Sequence, residues 1–300
     1  MTIYAADSID EVYPRLLSDA LYDEDRRYVT RSKNRVIYEL PNTAIVLRKP
    51  ANSLLRNETR RLSFRYAAGE LAFYLAQSDS LEFIAHYASF WRGISDDGKR
   101  VNSCYGKRLF KETAKGHTQM GYVKRLLQER KETRKAVAMI YKERDTNPTT
   151  KDNPCTMYLH FAIRNDKLLA TTHMRSNDLW LGTPYDVFFF TTLQRMLCAE
   201  LQETYPGLEV GEYTHMANSL HLYDKNREKA EKLVSKWDRD NLPSSATPPI
   251  GPEDLKVVND FLMEEELMRV APDAIPCYTA EHKNSPFFSL MSRFLEGRDA

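Results

Sequence analysis

Residues 157–174 constrain the fold more tightly than any other stretch. Leu159, Phe161 and Ile163 alternate with His160, Ala162 and Arg164, Asn165-Asp166 makes a turn, and Lys167–Met174 runs on beyond it. A period of two followed by a turn and a second extended run predicts an antiparallel hairpin with one face in a core. Cys155 stands just before the first strand and Arg175 just after the second, so antiparallel pairing predicts that they meet. The stretch opens on Pro154-Cys155-Thr156, continues after the hairpin as Met174-Arg175-Ser176-Asn177-Asp178, and ends on Leu181-Gly182-Thr183-Pro184-Tyr185-Asp186. A thiol, a guanidinium beside a hydroxyl, and a carboxylate at a helix start suit nucleophilic chemistry on a phosphorylated substrate.

The 300 residues, 42% of them hydrophobic, show no shift in composition that divides the chain. One main domain is expected over 1–241, with 242–300 a proline-rich linker and C-terminal helical extension packing on the same domain. Charged residues make up 28% and the net charge is +1, so no global field favours nucleic acid or an anionic membrane. Met1–Asp7 has no basic start leading into an apolar run, and no apolar stretch approaches membrane-spanning length, so a cytoplasmic protein is expected. Cys104, Cys155, Cys198 and Cys277 form neither a C-x-x-C pair nor a metal-ligand spacing; free thiols and no metal are expected. Taken singly, each cysteine reads as an inert buried thiol. P-loop, G-x-G-x-x-G, H-E-x-x-H and G-x-S-x-G motifs are missing.

In chain order, residues 7–22 have the apolar spacing of an amphipathic helix. The basic cluster Arg26, Arg27, Arg31, Lys33 and Arg35 follows, then two strand-like runs, 35–40 and 43–47, divided by a turn at Pro41-Asn42. A buried helix is expected over Glu58–Gln77 with Glu70 at the edge of its apolar face, where partial desolvation would raise its pKa. A second helix reads over 81–94, a loop at 102–106, a helix over 117–131 and a strand at 136–140. Thr183-Pro184-Tyr185-Asp186 has the form of a helix start, with threonine as N-cap and an acid three residues on, which makes a capping role the local reading of Asp186. Gly211–Tyr223 is strand-like, Asp224 is placed to cap a helix running to Trp237, and a last helix covers 255–262. The remaining tail carries no signal that was assigned to an element.

In order and spacing, these blocks resemble the thymidylate synthase family. That family has a Pro-Cys nucleophile, an R-S-x-D run, an L-G-x-P segment ending in a pyrimidine-binding residue, and a later H-L-Y, here His221-Leu222-Tyr223. Weaker matches are Thr59-Arg60-Arg61 leading to Glu70-Leu71, Trp91, the pair Tyr105-Gly106, and Arg134-Lys135 where the family has two arginines. The resemblance covers roughly residues 30–240. Where synthases end the block with asparagine this chain has Asp186, and with Met174-Arg175-Ser176-Asn177-Asp178 and Ser219-Leu220-His221 it looks like the cytidylate hydroxymethylase branch. That branch includes phage dCMP hydroxymethylases and CMP hydroxymethylases of nucleoside-antibiotic pathways. Thr156 replaces the histidine that usually follows the nucleophile, and Met174 replaces a glutamine; both changes argue against strict synthase activity.

The resemblance implies an α+β fold, a large mixed or antiparallel sheet covered by helices, and a symmetric homodimer packed through the sheets with shared active sites. It implies 5-hydroxymethylation of CMP, slightly favoured over dCMP, with 5,10-methylenetetrahydrofolate as one-carbon donor. Cys155 attacks C6 of the pyrimidine, helped by Arg175, and Glu70 shuttles protons and orients the water that adds to the transferred methylene. Asp186, with Asn177 and Asp178, reads the base, and a carboxylic acid at 186 matches the N3 acceptor and N4 donor of cytosine. Phosphate falls to Arg175, Ser176 and Arg31, with Arg134 and Lys135 of the second subunit; the sugar falls to His221 and Tyr223; folate falls to Trp91, Asp178 and Gly182. The alternatives are a dUMP or dCMP methylase of the synthase type and a non-catalytic nucleotide- or RNA-binding regulator.

Overall fold

The computed structural model describes residues 1–32, 34–111, 116–271 and 284–298; Lys33 and Cys277 lie outside them. Two compact units interleave along the chain. The first comprises Met1–Leu62, Cys155–Arg195 and Glu209–Thr247, the second Ser63–Pro154, Met196–Leu208 and Pro248–Ala300.

The strands are β1 (Thr2–Ala6), β2 (Tyr28–Ser32), β3 (Arg35–Leu47), β4 (Val137–Met139), β5 (Thr156–Arg164), β6 (Lys167–Met174), β7 (Asn177–Asp178) and β8 (Glu209–Tyr223). All but β4 belong to the first unit, where the order is β1-β3-β8-β6-β5, with β2 added to β3 and β7 to β8. The sheet is mixed. β1/β3, β6/β8 and β7/β8 pair parallel, and β2/β3, β3/β8 and β5/β6 pair antiparallel. The hairpin expected at 157–174 is β5/β6, turned by Asn165 and Asp166, both in the left-handed region. Leu159, Phe161, Ile163, Leu168, Ala170 and Thr172 are buried, while Tyr158, His160, Thr171 and His173 are half-buried. The alternation therefore does divide core from surface.

Two runs expected as separate strands form the single strand β3. Pro41-Asn42 does not turn the chain, because β2 pairs with β3 only up to Glu39 and β1 only from Thr43. The missing proline N–H falls in that gap, and Asn42 (φ 49°) absorbs the local irregularity.

The helices of the first unit are α1 (Ile9–Tyr22), started by Ser8 Oγ accepting from the Glu11 N–H at 3.2 Å, and α8 (Arg227–Ser235). Asp224 lies in a short 3-10 turn before α8 and accepts from the Tyr38 hydroxyl, so it is not the cap that the sequence suggested; that position is Asn226. The second unit contributes α2 (Phe64–Leu75), α3 (Leu81–Tyr87), α4 (Trp91–Ile94), α5 (Tyr105–Phe110) and α6 (Gln119–Glu129). α7 (Thr183–Leu201) starts in the first unit and ends in the second, and α9 (Pro252–Leu255), α10 (Val258–Val270) and α11 (Pro286–Leu295) complete the second. The single helix expected over 81–94 is broken in two at Ala88–Phe90, and the loop at 102–106 passes into α5, capped by Cys104. α11, which the sequence reading did not assign, buries Phe287, Phe288, Met291 and Phe294 completely. An ion pair between Arg108 and Asp145, both fully buried, ties α5 to the loop after β4, with Nη1–Oδ2 at 2.6 Å and Nη2–Oδ1 at 2.7 Å. No helix among the described residues is long and apolar enough to cross a membrane.

Candidate active site

In the first unit the β5/β6 hairpin brings its two outer residues together. The Arg175 backbone N–H donates to the Cys155 carbonyl at 2.9 Å, and Arg175 Nη2 lies 3.9 Å from Cys155 Sγ. Cys155 is half-buried, Arg175 exposed and Ser176 half-buried, so the thiol and the cation are both within reach of solvent. Thr156, next to the thiol, is fully buried, and its hydroxyl has no hydrogen-bond partner among the described residues.

The adjoining strand ends gather a second group. β7 pairs Asp178 with His221 of β8, and the Leu179 N–H donates to the His221 carbonyl at 2.7 Å. The rings of His221 and Tyr223 meet edge to face at 5.0 Å. Burial, then the Asp178 carboxylate, pushes the Tyr223 hydroxyl's pKa up, while Arg35 and a hydrogen bond with Ser32 oppose the rise. Cys155 adds a smaller upward effect. Cys155, His221, Tyr223 and Arg35 therefore converge on one end of the sheet. Arg31 is exposed on β2, opposite Val36.

Asp186 is where the structure departs from the local reading. Thr183 is not the cap of α7: its hydroxyl donates to Asn177 Oδ1 at 2.6 Å and to the Asp178 carbonyl at 3.2 Å. Asp186 Oδ2 accepts from Asn177 Nδ2 at 2.8 Å. Behind Asn177 stands His215, fully buried, with Nε2 3.0 Å from Asn177 Oδ1 and Nδ1 2.9 Å from the Tyr213 hydroxyl. Burial pushes His215 down to about 3, so its imidazole is neutral at ordinary pH. With Nδ2 of Asn177 donating to Asp186, Oδ1 is the acceptor, His215 donates from Nε2, and Tyr213 donates to Nδ1. Gly182 packs tightly beside this pair: a Cβ there would lie 3.0 Å from Asn177 Nδ2 and 3.1 Å from Asp186 Oδ2, so both side chains would have to give way. Asp178 Oδ1 accepts from the Trp180 and Leu181 N–H groups at 2.8 and 3.0 Å and so shapes the turn. Arg60 clasps the same turn through two bonds to the Trp180 carbonyl, at 2.7 and 3.1 Å.

In the second unit Glu70 is buried on α2, not at the edge of an apolar face. Burial raises its pKa to about 7, partly offset by hydroxyls of Tyr66 and Tyr74. Tyr66 donates to Glu70 Oε1 at 2.6 Å, and Trp91 Nε1 donates to the Tyr66 oxygen at 3.1 Å. Trp91 is buried and stacks on Phe90, an exposed residue, at 5.0 Å. Arg134 and Lys135 are exposed at the approach to β4. The sequence reading gave no role to Tyr66, Tyr74 and His215, and named Arg60 only within the Thr59-Arg60-Arg61 match. The two tyrosines stand four residues either side of Glu70, a spacing that places all three on one helix face.

A sequence profile of the thymidylate synthase family matches residues 16–265. The chain belongs to the thymidylate synthase family. A relative is the deoxyuridylate hydroxymethyltransferase of Bacillus phage SP01, 29% identical over 283 residues that cover 91% of this chain and 69% of the phage protein. As a thymidylate synthase-type enzyme, the chain transfers one carbon onto a nucleotide, and its donor is 5,10-methylenetetrahydrofolate. The mixed α+β architecture described above is consistent with that family's fold.

Proposed function

We propose that the chain is a cytidylate 5-hydroxymethylase, acting on CMP in preference to dCMP in the biosynthesis of a modified nucleotide. The observation that carries this reading is Asp186, a carboxylate held at 2.8 Å by Asn177 where synthases present an asparagine amide. A carboxyl group accepts from the N4 amino group of cytosine and, when protonated, donates to N3. Deoxyuridylate is the second reading, favoured by the name of the phage relative.

Cys155 Sγ attacks C6, which places a negative charge on the ring and makes C5 the nucleophile, with the Arg175 cation beside the sulfur. When bound, the folate supplies a one-carbon unit at the oxidation level of formaldehyde to C5. Glu70, with a pKa near neutrality, takes and returns protons and orients the water whose addition leaves a hydroxymethyl group. Expulsion of the Cys155 thiolate restores the ring. Arg175, Ser176 and Arg31 hold the phosphate with Arg134 and Lys135 of a second protomer, and His221 and Tyr223 bind the sugar hydroxyls. Asn177 and Asp178 support recognition of the base, and Trp91, Asp178 and Gly182 line the folate.

A homodimer packed through the sheets is part of this reading. Its support is the half-buried face of Tyr158, His160, Thr171, His173, Thr214 and Met216. Residues 242–300 we read as an extension of the catalytic domain, supported by the packing of α10 and α11 on α2. We place the enzyme in the cytoplasm; among the described residues Cys104, Cys155 and Cys198 form no disulfide, which supports this. The test is tritium release from C5 of labelled CMP. The wild type releases tritium and Cys155→Ala does not, and equal release by both would overturn the assignment of the nucleophile.

A further inference from the structure

We propose that Tyr66 and Tyr74 are positioning residues for Glu70: together they occupy Oε1 of its carboxyl and leave Oε2 as the oxygen that exchanges the proton. The inference rests on the reading of Glu70 as the proton shuttle and adds how its carboxyl is held. Tyr66 and Tyr74 precede and follow Glu70 by one helical turn on α2, and both hydroxyls reach the same oxygen, at 2.6 and 3.3 Å. The direction of these bonds follows from the chemistry of Trp91. An indole N–H only donates, so at 3.1 Å it fills a lone pair of the Tyr66 oxygen, and the Tyr66 hydroxyl in turn donates to the Glu70 carboxylate.

The frame around the clamp is closely packed. Tyr74 stacks on Tyr105 at 5.3 Å, and α5 approaches the Tyr74 backbone so closely that a Cβ on Gly106 would lie 2.0 Å from the Tyr74 carbonyl oxygen. On the opposite side, the Tyr87 ring lies where a Cβ on Gly69 would stand, 2.4 Å from Tyr87 Cγ. Tyr87 is itself tied by its hydroxyl to Glu265 at 2.8 Å. These contacts pack α2 closely on both sides of Glu70 and fix the Tyr74 ring.

Tyr66 and Tyr74 from α2 bond Glu70 directly, Trp91 from α4 reaches Tyr66, and Tyr105 of α5 with its cap Cys104 acts on Tyr74. Tyr87 from α3 lies behind Gly69, with the Glu265–Arg269 ion pair of α10 beyond it. Burial raises Tyr74 well above its ordinary value and Cys104 to about 12, so both stay neutral while Glu70 titrates. The tyrosine hydroxyls therefore favour the carboxylate against a burial that favours the acid, and their removal moves the balance towards the acid.

Selective 13C labelling of glutamate carboxyls in the full chain follows the proton on Glu70 directly, its signal assigned by loss in Glu70→Gln. In Tyr66→Phe the Glu70 midpoint is expected to rise by about one to two pH units, the worth of a hydrogen bond to a charged group. Tyr74→Phe should move it the same way by less, since its bond is longer. The low-pH limb of C5 tritium release from labelled CMP should move in parallel, with thermal melts confirming that both variants fold. An unmoved Glu70 midpoint in both variants would overturn the clamp. A shifted midpoint with an unshifted activity limb would keep the clamp and overturn the role of Glu70 as the shuttle.

Discussion

Glu70→Gln should stabilise the protein at alkaline pH while removing its activity. The carboxyl titrates at about 7 instead of its ordinary 4.5 because burial on α2 disfavours the charged form. A group raised in this way contributes stability that is fully present below the unfolded value of 4.5 and is lost as pH rises through the folded value of about 7. At about 1.4 kcal/mol per pH unit, the wild type carries about 3 kcal/mol of ionisation cost above pH 8 that the amide does not. The Gln side chain keeps an oxygen to accept from Tyr66 and Tyr74. Thermal melts of both proteins between pH 4.5 and 9 read the difference, in which other titrating groups cancel. The Tm values should coincide near pH 4.5 and diverge in favour of Glu70→Gln above pH 7, by roughly 6–12 °C at this scale. A Tm difference constant across the range would refute the reasoning, because no proton would then link Glu70 to folding. Turnover should fall by about 10²–10⁴-fold, the worth of a positioned acid or base.

Asp186→Asn is expected to shift kcat/KM from cytosine towards uracil nucleotides by at least about tenfold, the equivalent of one re-paired hydrogen bond. Steady-state kinetics on CMP, dCMP and dUMP read this, and unchanged selectivity would remove Asp186 from base recognition. His215, held at about 3 in the fold against an ordinary 6.5, makes the protein lose stability as pH falls from 6.5 towards 3. His215→Gln should flatten that acid slope in Tm, and an identical slope in both proteins would mean that His215 does not take up a proton on unfolding.

How much of this was legible in the residues depended on the range of the contacts. The β5/β6 hairpin and the meeting of Cys155 with Arg175 followed from alternation around Asn165-Asp166, because register in a short hairpin is local. β1 did not, since Thr2–Ala6 is held by parallel pairing with Thr43–Leu47, far along the chain. Thr183 shows how one pattern can serve two structures. Threonine, proline and an acid do open α7, yet the hydroxyl turns to Asn177, which arrives from β7. α11 was written in the sequence as Ser285-Pro286 followed by Phe287, Phe288, Met291 and Phe294, an N-cap and apolar spacing that needed only to be read. Glu70 was legible as a candidate but its burial was not, since that depends on α3, α4 and α5 closing around α2.

Mass spectrometry of CMP, dCMP and dUMP after incubation with the full chain and 5,10-methylenetetrahydrofolate tests hydroxymethylation of cytosine most directly. CMP is expected to gain CH2O, with tetrahydrofolate released and dUMP unchanged. A gain of CH2 accompanied by dihydrofolate, or a product formed from dUMP alone, would contradict it.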